Sequence, residues 1–428
     1  MQEVFIHYLW KFRLYDHADL CTVGGQRILV QEPGMTNRNA GPDFFTARVQ
    51  LDDTLWAGNV EIHLKSSDWK RHGHSSDPAY GNVILHVVYE YDIPVYRSDG
   101  SLIPTLELRD RIDLKQYDNY LALLANMHYI PCEKQARLVE PVIWSSWLLR
   151  MAIERFEERA VPLIQRLVHR QYDWEQVFYE CLAGNFGFHV NREPFEQVAS
   201  LTSFRLLLKH HDRLFSIEAL LFGQAGLLNR HVKDEYPRQL RKEYLFLRRK
   251  YGLVPIDMQR WKFMRLRPAN FPSLRMAQFA ALIHHSSHLF SKVLETGTKE
   301  ELKKLFMPEV SSYWHTHFRF DKASVVSVKT LGESAVGNIL VNTVCLFLFL
   351  YGQHKKQEDY VKKSLDLLEE IPAEDNRVIR RFADFGIRPE NALQSQALLH
   401  LKSRYCDRKR CLECAVGINL VRNNAESI

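Results

Sequence analysis

In the first third of the chain, apolar positions fall on alternate residues or in short blocks bounded by turn residues. From about residue 112 they fall at helical spacing and stay there. Ahead of the alternating part, Val4, Phe5, Tyr8, Leu9 and Phe12 are spaced for one face of a helix. The runs QRILVQEPG, FFTARVQLDD, TLWAGNVEIHLK, NVILHVVYEYD and SLIPTLELRD then read as strands, with LDDT as a hairpin turn and RSDGS as a stronger one. The polar stretch SSDWKRHGHSSDPAY separates the third and fourth runs as a loop or short helix. Beyond EPVIWSSWLLRMAIERFEERAVPLIQRLV and WEQVFYECLAGNFG, helices are expected at roughly 195–230, 235–251, 273–296, 298–306, 334–352, 356–370, 374–385 and 391–404. The pattern predicts an α+β protein. A mixed sheet with flanking helices occupies 1–130, and a larger all-α domain occupies 140–428, after a linker near 128–140.

One strand breaks its own pattern. TLWAGNVEIHLK is hydrophobic, yet Glu61, His63 and Lys65 share one of its faces. That face is either a wet outer surface or an active site. Two carboxylates one to two dozen residues apart, the second on a strand, are a common way to hold a divalent metal, and Pro42-Asp43 supplies the first. A hard cation such as Mg²⁺ or Mn²⁺ takes oxygen ligands, stabilises a pentavalent phosphorus and lowers the pKa of an attacking water. His63 is mostly neutral near pH 7 and suits a base or a metal ligand. Downstream, His72, His74 and Asp77 precede His86, giving four histidines in about two dozen residues. His72 and His74 fit contacts to a scissile phosphate, a second metal, or a zinc site with Asp77; the alternative is a solvated loop. His86, in an apolar strand, reads as a core histidine.

Pro42-Asp43 followed by Glu61-Ile62-His63 resembles the core of the restriction-endonuclease-like, or PD-(D/E)XK, nuclease superfamily, and the helix and strand order resembles its αβββαβ core. The resemblance covers about residues 1–95. It implies that Asp43 and Glu61 bind Mg²⁺ or Mn²⁺, aided by the backbone carbonyl of Ile62, in a metal-dependent endonuclease. The superfamily's lysine position is His63 here, with Lys65 two residues further along the same face. The catalytic set implied is therefore Asp43, Glu61, His63 and Lys65. The rival readings are a non-catalytic nucleic-acid-binding or scaffold protein on a degenerate nuclease core, and a zinc-dependent hydrolase using the histidines.

Charge adds a partner. The chain carries a net +6 over 428 residues, and residues 205–275 concentrate cations among aromatics, a composition suited to phosphate contact and base stacking. Arg248, Arg249, Arg265, Arg267 and Arg275 are the candidate contacts, with His72 and His74, to nucleic acid, DNA ahead of RNA. A solvated helix face is the competing explanation. The sequence YCDRKRCLECAVG places Cys406, Cys411 and Cys414 as C-x4-C-x2-C, a half-site for Zn²⁺ or an iron–sulfur group that lacks a fourth ligand in its neighbourhood. Seven scattered cysteines are not a secreted disulfide framework, and the N-terminus lacks the features of a signal peptide. VGNILVNTVCLFLFLYG reads as a buried helix rather than a membrane span. The expectation is a cytoplasmic protein without a membrane partner. Its helical punctuation, together with GPDF…VEIHLKSSDW, also resembles a bacterial family known only as a domain of unknown function, over nearly the full chain.

Overall fold

The computed structural model describes residues 1–37, 39–228 and 231–423; Asn229 and Arg230, inside the basic segment, lie outside the described residues. The protein is mixed α+β, with an N-terminal mixed sheet and a helical remainder. Packing divides it into two compact units, residues 1–147 with 402–428, and residues 148–401. The C-terminal cysteine segment, expected within the helical domain, thus groups with the sheet.

Helix α1 (Glu3–Phe12) buries Phe5, Ile6, Tyr8, Leu9 and Trp10, and ends where Arg13 adopts a left-handed conformation. Strands β1 (Ile28–Glu32), β2 (Met35–Thr36), β3 (Phe44–Leu51) and β4 (Thr54–Lys65) follow, then α2 (Asp68–Arg71), β5 (Val83–Glu90) and β6 (Thr105–Glu107). The sheet order is β1-β3-β4-β5-β6, with β2 beside β3. The β1–β3 and β3–β4 pairs are antiparallel; β4–β5 and β5–β6 are parallel. A parallel neighbour needs a crossover, and residues 66–82 supply it.

This topology buries β4 on both faces. Val60 and Ile62 join Ile6, Trp10, Phe44, Val49, Leu85, Val87 and Leu106 in one cluster. Trp69 and Tyr80 of the crossover pack with Val83, Val95 and Ile103 in a second. Glu61 and His63 are therefore only 4% and 1% exposed, so the polar face of β4 is not a wet one. Close approach at the start of β5 depends on Gly58. A Cβ there would stand 2.7 Å from the carbonyl oxygen of Asn82 and overlap Ile84. Gly58→Ala is expected to cost about 1–3 kcal/mol through forced strand displacement, measurable as a drop in the urea midpoint; an unchanged midpoint would show that the strands yield freely there.

Residues 114–125 form α3 (Leu114–Ala125), whose Asn119 amide donates to the carbonyl of Val421 in the C-terminal helix Ala415–Arg422. In the helical unit, the stretch expected as one helix over 195–230 is three, Arg192–Leu201, Phe204–Leu208 and Leu214–Gln224. Ser203 caps the second by accepting from the Leu206 N–H, which fixes the break. The apolar stretch Glu333–Lys355 is long and apolar enough to cross a membrane, but 78% of its apolar window is buried within the protein, as a core helix requires.

Candidate metal centre

Asp43 stands at the entrance to β3, and the antiparallel register pairs Phe44 with Val60. That register carries Asp43 to Glu61 across the sheet. The two lock each other: the Asp43 N–H donates to Glu61 Oε2 at 3.1 Å, and the Ile62 N–H donates to Asp43 Oδ2 at 2.9 Å. Ile62 thus meets Asp43 through its N–H, while its side chain is in the core. From α1, Glu3 and His7 lie one helical turn apart on one face. His7 Nε2 lies 3.4 Å from Asp43 Oδ2, and Glu3 is near enough to feel His7, Asp43 and His72.

The crossover brings in the other imidazoles. Trp69, 1% exposed, anchors it, with its indole N–H donating to Ser75 Oγ at 3.1 Å. Ser66 and Ser67 are tied to Asp92, and Asp77 accepts from the Ala79 N–H to start the next turn, so Asp77 serves the loop's shape. Gly73, at φ 77°, reverses the chain between His72 and His74, a conformation suited to glycine. His63 Nε2 then faces His72 Nδ1 at 3.1 Å and Glu61 Oε1 at 3.6 Å, and His74 Nε2 lies 3.2 Å from that same oxygen. One donor atom from each of His63, His72 and His74 falls within 4.8 Å of the others. On its far side, His63 Nδ1 meets His86 Nε2 at 2.9 Å. An imidazole that uses one nitrogen on a metal commonly donates the other to an acceptor behind it, and His86 stands in that place.

Burial displaces several of these groups from their ordinary protonation. Burial raises the pKa of Glu61 to about 9, with the Asp43 charge adding to the rise and the Asp43 N–H opposing it. Burial depresses His63 to about 2, with His86 and His74 adding, and His86 to about 3, with His74 adding. His74 is lowered by burial and by His72. Those imidazoles are neutral at pH 7 and present lone pairs. Burial also raises Glu3, with His7 opposing and Asp43 adding. His7 Nε2 and His74 Nε2, each beside a carboxylate oxygen, have no hydrogen-bond partner among the described residues, nor has His86 Nδ1. A divalent ion among these groups would neutralise the acids and engage orphaned nitrogens. Asp43 and His7 keep 25% of their side chains exposed and His72 is exposed, which leaves one side open to a ligand.

The expected residues thus divide. Asp43, Glu61, His63, His72 and His74 come together. Lys65 does not join them: more than half exposed, its ammonium meets Glu90 at 3.7 Å, because two further residues carry it past the acids to the end of the strand. Of the basic residues, Arg248 and Arg249 are exposed on the helix Glu235–Tyr251, and Arg265 and Arg267 are exposed in the loop beyond it. Arg275 is a correction. It is 5% exposed, donates to Asn270 Oδ1 at 2.6 Å and Gln278 Oε1 at 3.1 Å, and lies over the Phe188 ring. Its guanidinium holds the turn before its helix and faces no solvent phosphate. Sequence reasoning missed Glu3, His7 and the partner role of His86; the Glu3-x3-His7 spacing on a helix was the available signal.

A family model described as "Protein of unknown function (DUF2851)" matches residues 3–377. The chain belongs to the DUF2851 family. The match to that family takes in the whole histidine–carboxylate cluster, from Glu3 to His86, and ends before the cysteine segment. No curated protein and no solved structure matches the chain.

Proposed function

We propose that this chain is a divalent-metal-dependent hydrolase of phosphodiester bonds in nucleic acid. The observation that carries the reading is the mutual lock of Asp43 and Glu61, with Glu61 raised to about 9 by burial and by its neighbour. Two carboxylates held together at that electrostatic cost are poised for a cation. In this reading Asp43 and Glu61, with His74 or His63, would hold a divalent ion, which when bound would supply Lewis-acid activation of water, and His72, at the open side, would meet the substrate phosphate. With the two-residue strand β2 set aside, the element order α1, β1, β3, β4, α2, β5 supports the nuclease-like assignment, since it then follows the αβββαβ order of the PD-(D/E)XK core. Lys65 leaves the catalytic set, and His63 occupies its place as a neutral ligand.

The imidazoles move the metal preference from Mg²⁺ toward Mn²⁺ or Zn²⁺, since nitrogen donors suit the softer ions. A second reading, a zinc-dependent hydrolase, is favoured by the convergence of His63, His72 and His74 within 4.8 Å. One assay separates them. Chelator-treated protein is given Mg²⁺, Mn²⁺ or Zn²⁺ and incubated with single- and double-stranded DNA and RNA, and with a phosphomonoester. Cleavage of polynucleotide restored by Mn²⁺ or Mg²⁺ supports the nuclease. Activity on the monoester alone with Zn²⁺ supports the second reading. Binding without turnover under every ion overturns both and leaves a nucleic-acid-binding protein.

The exposed cations of the helical unit are assigned to substrate binding. Arg248→Glu with Arg249→Glu is expected to weaken DNA binding by at least about tenfold and to flatten the dependence of log affinity on log salt by roughly one per lost phosphate contact. Equal affinity and slope in a fluorescence-anisotropy titration would remove these residues from the interface.

A further inference from the structure

Cys406, Cys411 and Cys414 share a compact unit with Cys132. The chain folds back so that the segment after residue 402 packs on the segment before residue 138. Lys409 Nζ donates to the carbonyl of Leu124 at 2.6 Å, and Lys402 Nζ lies 4.4 Å over the Tyr129 ring. Cys132 follows those anchors in the chain, in a loop closed by Asn126 donating to the Pro131 carbonyl at 2.8 Å and by the Cys132 carbonyl accepting from the N–H groups of Gln135 and Ala136. None of the seven cysteines is in a disulfide. We propose that Cys132, Cys406, Cys411 and Cys414 form a four-thiolate metal site in the sheet-bearing unit, separate from the histidine–carboxylate centre.

The surroundings fit a thiolate site. Cys414 is the N-cap residue of the helix Ala415–Arg422; burial raises its thiol pKa, and the neighbouring N–H groups of Val416 and Gly417 and the Trp147 indole oppose the rise. Donors of that kind stabilise a metal-bound thiolate. Gly417 permits the tight turn, since a Cβ there would overlap the carbonyl of Cys411. The four thiols are close enough to act on one another. Besides burial, Cys414 and Cys411 raise Cys132, and Cys414, Cys132 and Cys411 raise Cys406; Lys402 and Lys409 oppose the rise at Cys406 and Cys411. The Lys409 ammonium would offset part of the negative charge that four thiolates leave around a metal, while that of Lys402 is paired with Asp407.

The spacing favours an iron–sulfur cluster over a single zinc ion. A tetrahedral zinc with sulfurs at about 2.3 Å sets them roughly 3.8 Å apart. Among the described residues the histidines, and no cysteine trio, are the group whose donor atoms all lie within 4.8 Å. A cluster whose cysteines bind different iron atoms holds its sulfurs wider. C-x4-C-x2-C with a distant fourth cysteine is also a spacing that iron–sulfur clusters use, although here the fourth precedes the three.

The test is metal and acid-labile sulfide analysis of the full chain purified without oxygen, with visible absorption spectra. About one centre per chain is expected in the wild type and in Asp43→Ala, falling to under roughly a tenth in Cys132→Ser and in Cys406→Ser, with Cys21→Ser as the control that keeps it. Iron with sulfide and a visible charge-transfer band supports the cluster. Zinc lost on replacing Cys132 supports the four-thiolate site and assigns it zinc. A wild type from which no metal is lost on replacing Cys132 or Cys406 overturns the site, whatever those variants do to folding. So does a wild type that holds metal only through Asp43 and Glu61.

Discussion

Asp43→Ala lowers metal-dependent cleavage by at least roughly a thousandfold, because a metal that supplies several kcal/mol of transition-state stabilisation is no longer held. The alanine variant alone is ambiguous, since Asp43 Oδ2 also accepts the Ile62 N–H and joins β3 to β4. Asp43→Asn resolves this. Its amide oxygen keeps that hydrogen bond and its charge is gone, so it is expected to fold as the wild type does and to fail in metal binding and turnover alike. Calorimetric titration of Mn²⁺ into the three proteins, beside the cleavage assay, measures both. Should Asp43→Asn bind Mn²⁺ and cleave at the wild-type rate, the carboxylate pair is a structural lock and the hydrolytic reading fails. His7 borders the same oxygen, and Glu3 is near enough to feel the Asp43 charge, so Glu3→Gln is expected to give a smaller loss, with a shifted pH profile rather than abolition.

The metal-free protein is expected to lose stability above about pH 7 and again below about pH 4.5. The sign follows from four buried groups, Glu61, Glu218, His63 and His86. Glu61 is raised from 4.5 to about 9, so between those values the folded state holds a proton that the unfolded state has released. Stability from this group is full below pH 4.5 and is lost as pH rises to about 9. His63 and His86 are depressed from 6.5 to about 2 and about 3, so below pH 6.5 the unfolded state binds two protons that the folded state refuses. Above about pH 7 the Glu61 effect dominates, and stability falls by up to about 1.4 kcal/mol per unit as pH rises. From 6.5 down to 4.5 the protons held by folded Glu61 and by buried Glu218, raised to about 7, offset those the two histidines refuse, so the curve is nearly flat. Below 4.5 the histidines act alone and stability falls as pH drops, with His74 adding to that acid limb. Urea unfolding across pH 4 to 9 with chelator present measures the curve. Glu61→Gln, which mimics the protonated acid, flattens the alkaline limb, and saturating Mn²⁺ does the same by replacing the proton with a cation. A metal-free protein whose stability rises from pH 7 to 9 would falsify the buried, protonated state of Glu61.

Helix α1, the strand runs, the change to helical spacing and the C-x4-C-x2-C half-site were set by local pattern, because a side chain's period along the backbone follows from the geometry of its own element. The Asp43 and Glu61 pair was also legible, since strand register is fixed by which face must be buried. Local pattern does not decide which residues from distant segments share a volume. That Glu3 and His7 border Asp43, that His86 backs His63, that Lys65 runs past the site to Glu90, that Arg275 turns inward and that Cys132 shares a compact unit with Cys406–Cys414 all depend on how helix, crossover and C-terminal segment pack. Burial then sets the chemistry. Glu61 and His63 owe their displaced protonation to the layers covering both faces of β4, a property of the assembled tertiary structure that no window of sequence contains.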